Sequence, residues 1–298
     1  MKPVRGLFIG LTTLDLIYHA HSAPSANEKV VAQEMMFAAG GPATNAAIAF
    51  AALGGEATLV SVIGQHPLAQ WIHSDLAQHQ VAHLELMPQY CDSPTVSSVV
   101  VSTETGDRAV VSKNAQDFQV ADSSVIVDQI VSLFHSADII ILDGHQMALS
   151  QAIAARAAQS HIPTVFDGGS WKPGSEHLLP HITHIICSES FQPPGCGNEF
   201  ETLAYLGLCS PGANLAVTHG GAAITLRVDQ AMTRCSCPSV TVADTLGAGD
   251  FLHGAFAFWV PHRSFEASIQ AASTIASLSC QFPGTRKWLS KISAQHYS

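Results

Sequence analysis

The stretch Val242-Ala243-Asp244-Thr245-Leu246-Gly247-Ala248-Gly249-Asp250-Phe251, followed by the apolar run 252–260, decides how the chain reads. It reads as a strand end, a tight turn of small residues and then a helix. Gly247 and Gly249 permit close backbone approach. The amides of Gly247, Ala248 and Gly249 fall where a helix leaves its first N–H groups without acceptors. Those donors, with the positive end of the helix dipole, make a site for an anion. Asp250 lies in the first turn, where a carboxylate can take the proton of a hydroxyl attacking a bound phosphoryl group. The alternative is that Asp250 only complements the helix dipole.

A second stretch, Phe37-Ala38-Ala39-Gly40-Gly41-Pro42-Ala43-Thr44-Asn45-Ala46-Ala47, has the same build. Paired glycines precede a helix with Pro42 in its first turn, where a missing N–H is harmless. The Asn45 carboxamide and the glycine amides suit hydrogen bonds to sugar hydroxyls; otherwise Asn45 is a local bonder at the helix start.

Around these two stretches, short β-branched runs alternate with alanine-rich helical ones. Strands are expected at 4–9, 57–63, 138–142, 164–166, 184–187 and 215–218, and helices at 42–53, 68–79, 123–134, 149–159 and 198–206. Continuously apolar strands separated by helices imply an α/β fold with a parallel sheet covered on both faces. Two segments break the rhythm: 17–37, polar and irregular with a strand expected at 29–33, and 95–112, two strands around a glycine-containing turn. They imply a small β lid, built from segments near 15–37 and 93–112, over one end of a single domain spanning 1–298. The alternative is a pair of ordinary surface insertions.

The chain has 298 residues, 47% apolar and only 12% charged, which excludes a disordered chain. Thirteen Lys and Arg against 23 Asp and Glu give a net charge of −10, which argues against a nucleic-acid partner. No apolar run reaches the roughly 18 residues that span a bilayer. Asp15 interrupts the opening apolar stretch, so that stretch reads as a first strand and not as a signal peptide. Seven cysteines without framework spacing point to reduced thiols in a cytoplasmic protein. A Walker-type phosphate loop and a Gly-x-Ser-x-Gly nucleophile elbow are both absent from the sequence. His181, His184 and Cys187, or Cys235 and Cys237, lack the paired spacing of a zinc site.

Residues 244–250 resemble the C-terminal signature of the ribokinase-like (PfkB) carbohydrate kinases. Gly40-Gly41…Asn45, followed by an alanine-rich helix and Leu53-Gly54, resembles their N-terminal signature. The motifs stand in the right order, and the resemblance covers nearly the whole chain. It implies a three-layer α/β/α fold and an ATP-dependent sugar kinase that phosphorylates a primary hydroxyl of a small ketose or pentose. By the same resemblance Asp250 is the catalytic base and Gly247, Ala248 and Gly249 its anion hole. Asp15, Gly40, Gly41 and Asn45 bind the sugar, and Arg108 in the lid turn reaches it. Thr218, Gly220, Thr245 and Arg286 border the nucleotide. The alternatives are a turn carboxylate at Asp15, a solvated arginine at Arg108, a plain strand-to-turn junction at 217–221 and a helix-end cation at Arg286.

Departures accompany the resemblance. Where many members carry Asn-x-x-Glu to organise magnesium, this chain has Ser188-Glu189-Ser190-Phe191. The serine is similar to the ketohexokinase and sulfofructose-kinase side of the family, and Glu189 is left to act on metal through water or to be a surface carboxylate. His66, Ala69 and Ala223 also replace usual family residues. The resemblance implies ATP and Mg2+ as cofactors, leaves a monovalent cation open, and implies a homodimer through the lid. A nucleoside kinase of the same fold and a silent sugar- or nucleotide-binding regulator stand as alternatives.

Overall fold

Apolar strands need cover on both faces, and the computed structural model provides it. It describes residues 2–113, 120 and 124–292. The chain opens with β1 (Arg5–Ile9) and leaves the core through β2 (Thr13–Ala20) and β3 (Glu34–Gly40). It returns through α1 (Pro42–Ala52), β4 (Glu56–Ser61), α2 (Ala69–Gln78) and β5 (Ala82–Glu85), then makes a second excursion, β6 (Val96–Ser102) and β7 (Arg108–Ser112). Regular alternation follows: α3 (Ser124–Val131), β8 (Ile139–Leu142), α4 (Met147–Gln159), β9 (Thr164–Gly168), α5 (Ser175–Leu178), β10 (His184–Ser188), α6 (Glu199–Cys209) and β11 (Asn214–Thr218). The hairpin β12 (Ile224–Val228) and β13 (Ala231–Cys235) leads to α7 (Ala248–Trp259) and α8 (Phe265–Ser279).

The large sheet runs β13-β12-β11-β10-β9-β8-β1-β4-β5, parallel except for the antiparallel β11–β12 and β12–β13 pairings. It separates two apolar cores. Phe8, Ile139 and Ile141 point into one with α1, α7 and α8, while Leu7, Ile9, Ile140 and Leu142 point into the other with α3, α4 and α6. The three layers expected from the sequence are present. Strand order reverses at β1, between β4 and β8, and such a reversal opens a crevice at the carboxyl ends of the strands. Asp143, just past β8, fixes that edge by accepting the amides of Leu11 (2.8 Å) and Ala43 (3.3 Å).

A second sheet, β3-β2-β6-β7, is made of the two excursions. Its register puts Asp15, Ala38, Ser97 and Ser112 in one row, and Ile17, Met36, Val99 and Val110 in the next. Ile17, Ala38, Val99 and Val101 form a small core with Met36 and Leu246, the latter from the loop before α7. The sheet therefore rests on that loop.

Two expectations are corrected, and two strands are added. Residues 29–33 form no strand; the strands are β2 and β3, whose polar residues face the site and so disguised the pattern. Val242 and Ala243 lie in a loop, since Ala243 and Asp244 donate their amides to the Cys280 carbonyl and pair with no strand. The last two strands of the large sheet, β12 and β13, are antiparallel and were not anticipated.

Candidate active site

Two helix starts meet over the crevice because one of them lacks a side chain. A Cβ on Gly254 of α7 would lie 2.1 Å from the Ala46 carbonyl oxygen of α1, so only glycine lets the helices pack this closely. The contact brings together the two residues that the motifs single out. Asn45 Nδ2 donates to Asp250 Oδ2 at 2.9 Å.

At the start of α7, Gly247 has φ of +76° and ψ of 0°, the left-handed turn that aims the following amides outward. Ala248 N–H is spent on the Thr245 carbonyl at 3.3 Å. Among the described residues the amides of Gly247, Gly249 and Asp250 have no acceptor, and a Cβ on Gly249 would meet open space. Of the amides expected to meet an anion, those of Gly247 and Gly249 are therefore open, together with that of Asp250, while that of Ala248 is engaged. Burial, and then the charge of Asp167, push the Asp250 carboxyl up to about 7, against the opposing pull of Asn45 and His253. Both ring nitrogens of His253, one turn further along α7, face carbonyl oxygens: Gly249 at 2.8 Å and Ile186 at 3.1 Å.

On the lid side Asp15 is buried, and its Oδ1 accepts the Thr13 hydroxyl at 2.6 Å. Burial raises its pKa, while Thr13, Arg286 and Ser97 pull the other way. Gly40 supplies the room, since a Cβ there would fall 1.9 Å from Asp15 Oδ2. Gly41, at φ +93°, caps α1; a Cβ on it would strike the Leu11 carbonyl. Asp15, Gly40, Gly41 and Asn45 thus lie along one wall.

Arg108 is exposed, and its Nη1 donates to Thr245 Oγ1 at 2.8 Å, tying the lid hairpin to the loop before α7. His19 of β2 makes a second tie, 3.4 Å from Asp244 Oδ2, which also accepts the Gly284 amide at 2.8 Å. Lys287 adds a third with Glu34 at 2.7 Å.

This geometry joins a polar wall suited to hydroxyls with unpaired amides suited to an anion, and a carboxylate between them. The family described as pfkB family carbohydrate kinase matches residues 6–292. The chain belongs to this family. It is thus a carbohydrate kinase, as its two signatures led one to expect. It is similar to the ribokinase of Lactococcus lactis, 23% identical over 96% of this chain and 93% of that one. Among solved structures it resembles a microbiome-derived acarbose kinase, at a TM-score of 0.81 and 17% identity, covering 96% of this chain and 95% of the other. Arabidopsis thaliana ribokinase complexed with ribose and ATP gives a TM-score of 0.75 and 19% identity, over 98% of this chain and all of that one.

Not every expected residue of this pfkB kinase joins the site as anticipated. Thr218 and Gly220 stand at the carboxyl end of β11, with Gly220 open to solvent at φ +59°. Arg286 was expected beside the nucleotide, but its donors are committed to Asp75, Asn45 and the carbonyls of Ala39 and Thr285. The expected magnesium place lies at the carboxyl end of β10. Ser188 donates to the Gly169 carbonyl, Glu189 is exposed and 3.4 Å from His219, and Phe191 is buried in the apolar core. Among the described residues no cluster of three or more His, Cys, Asp or Glu side chains forms a metal cage, and no helix is long and apolar enough to cross a membrane.

Four contributors were missed: Asp75, Asp143, Asp167 and His253. Asp143 and Asp167 each end an apolar strand with Asp-Gly, at the ligand-binding edge of a parallel sheet, and that signal was readable. His253 follows Asp250 by one helical turn. Asp75 had no local signal.

Proposed function

We propose that the chain transfers the γ-phosphate of ATP to a primary hydroxyl of a small sugar of ketose or pentose type, with Asp250 as base. The observation that carries this reading is the 2.9 Å bond from Asn45 to Asp250, which joins the hydroxyl-binding wall to the unpaired amides of α7. The sugar lies against Asp15, Gly41 and Asn45 under the lid. The nucleotide lies along the carboxyl ends of β10 and β11, past Thr218 and Gly220, with Thr245 beside its phosphates, and Arg108, bonded to Thr245, reaches the sugar from the lid. As the hydroxyl oxygen bonds to the γ-phosphorus, its proton passes to Asp250 and the bond to the bridging oxygen breaks, releasing ADP. The amides of Gly247 and Gly249 hold charge on the transferred group, and positioning supplies most of the acceleration. The names of the relatives, ribokinases among them, support a sugar acceptor.

The test is ADP release over a panel of ketoses, pentoses, their phosphorylated and sulfonated derivatives, and nucleosides. On the best substrate Asp250→Asn should lose on the order of 10²–10⁴ in kcat. Turnover equal to wild type would remove Asp250 from its role.

The reading includes a homodimer. The outer lid face carries Tyr18, Met35, Phe37, Val100 and Val111, an apolar surface that a second lid would cover.

A further inference from the structure

Arg286 follows α8 in a turn opened by Gly284 and reaches residues from three other elements. Its Nε and Nη2 donate to Asp75 Oδ2 of α2, at 3.2 and 2.9 Å. Nη2 also meets the Ala39 carbonyl of β3, and Nη1 donates to Asn45 Oδ1 of α1 at 3.2 Å. The guanidinium is mostly buried, with 15% of the side chain exposed.

The contact with Asn45 bears on Asp250. A carboxamide offers an acceptor on one side and donors on the other, whereas a guanidinium has donors only. Facing Arg286, Asn45 must present its oxygen, so its NH2 group is turned to Asp250. The reverse orientation would set donors against donors at Arg286 and an oxygen against a carboxylate at Asp250. We propose that Arg286 is a positioning residue for Asp250: it fixes the orientation of Asn45, which keeps one carboxylate oxygen bonded and leaves the other for the hydroxyl proton. Asp75 fixes the guanidinium in turn. Its Oδ2 accepts the Ala39 amide at 2.8 Å as well as Arg286, and its Oδ1 lies 3.3 Å from His79. Burial works against the Asp75 charge, but His79, Arg286 and Ala39 outweigh it and hold the carboxyl at about 2, so the counter-charge persists at any working pH.

Charge and orientation can be separated experimentally. Asp250 is faced by Asp15 from β2, Asp167 from β9 and His253 from its own helix, and Arg286 by Asp75 from α2 and by Asp15, with His79 just past α2 on the far side of Asp75. Arg286→Lys keeps the cation among these groups, but an ammonium lacks the planar fork that holds Asp75 and Asn45 together. The inference rests on Asp250 being the base, so Asp250→Asn is the companion control.

The experiment measures kcat, sugar KM and the pH dependence of kcat for wild type, R286K, N45A and N45A/R286K, each checked for a cooperative melt. R286K should lower kcat about 10–100-fold with a smaller change in sugar KM. It should also move the acid limb up by about 0.5–1 pH unit, because Asp250 loses the donor that favours its ionised form. In the N45A background the same substitution should cost little more, because Arg286 acts through Asn45. Should the lysine variant not melt cooperatively, R286Q completes the same cycle. An unmoved acid limb, or an equal loss in both backgrounds, would overturn the proposal and leave Arg286 as a tie between the C-terminal turn and α2. If Asp250→Asn turns over like wild type, the base assignment fails first and takes this inference with it.

Discussion

Asp250 is held near neutrality because burial and the charge of Asp167 oppose its ionisation more than Asn45 and His253 favour it. A base must be ionised to accept a proton, so kcat should fall as pH drops through about 7, the value at which the carboxyl titrates. Stability follows the opposite sense. The folded pKa lies above the unfolded one, so the native state binds more protons between the ordinary aspartate range and pH 7, and stability declines as pH rises through that window. Asp250→Asn removes this penalty. The variant should therefore melt above wild type at pH 8, and the gap should close towards pH 4. A gap that is constant with pH would show that the carboxyl is not held up in the folded protein. Asp15, Asn45 and Asp250 were legible in the sequence as neighbours at one crevice because each sits in a short motif at a strand end or helix start. Arg286 was legible as a cation near the site but not as the partner of Asp75, which lies 211 residues away in sequence. No local pattern encodes such a pairing.

The site depends on α1 and α7 approaching at backbone contact. Gly254→Ala would set a methyl group 2.1 Å from the Ala46 carbonyl, so the helices must separate. Overpacking of this kind costs about 1–3 kcal/mol, against about 1 kcal/mol returned by the better helix propensity of alanine. Separation would also draw Asn45 from Asp250. The variant should keep its fold with a Tm lowered by a few degrees and lose about 10-fold or more in kcat, since small misplacements of reacting groups are expensive. Unchanged kcat with a lowered Tm would uncouple the helix contact from catalysis. At this scale the parallel strands and their helices were readable because burial on both faces makes them continuously apolar. β2 and β3 were not, because their inner face carries Asp15, His19 and Glu34 towards the site and the lid ties. The hairpin β12–β13 escaped notice because it sits at the sheet edge, where β13 is largely exposed and the apolar signal is weak.

At the scale of the whole molecule, the lid sheet has one face turned to the site and one covered only in part, by α2. Met35 is 51% exposed, Phe37 41% and Val111 78%; Phe37 stacks on Trp71 of α2 at 5.2 Å, extending the apolar surface beyond the sheet. β7 is exposed along its full length and forms the free edge of the lid. An open apolar face beside an unpaired edge strand is a surface that another sheet stabilises by covering, and the proposed occupant is the lid of a second copy. In sedimentation at micromolar concentration the wild type should run at twice the mass of one chain. Met35→Lys combined with Val111→Lys places two cations on the outer face without touching the Asp15 row, and should give a monomer with an unchanged melt of the large sheet. Because Arg108 begins β7 and bonds Thr245 in the loop before α7, loss of the partner lid should also loosen this tie. The double variant is then expected to lose activity through a raised nucleotide KM more than through kcat. Wild type that sediments as a monomer, or a double variant that still dimerises, would show that this face is not the interface.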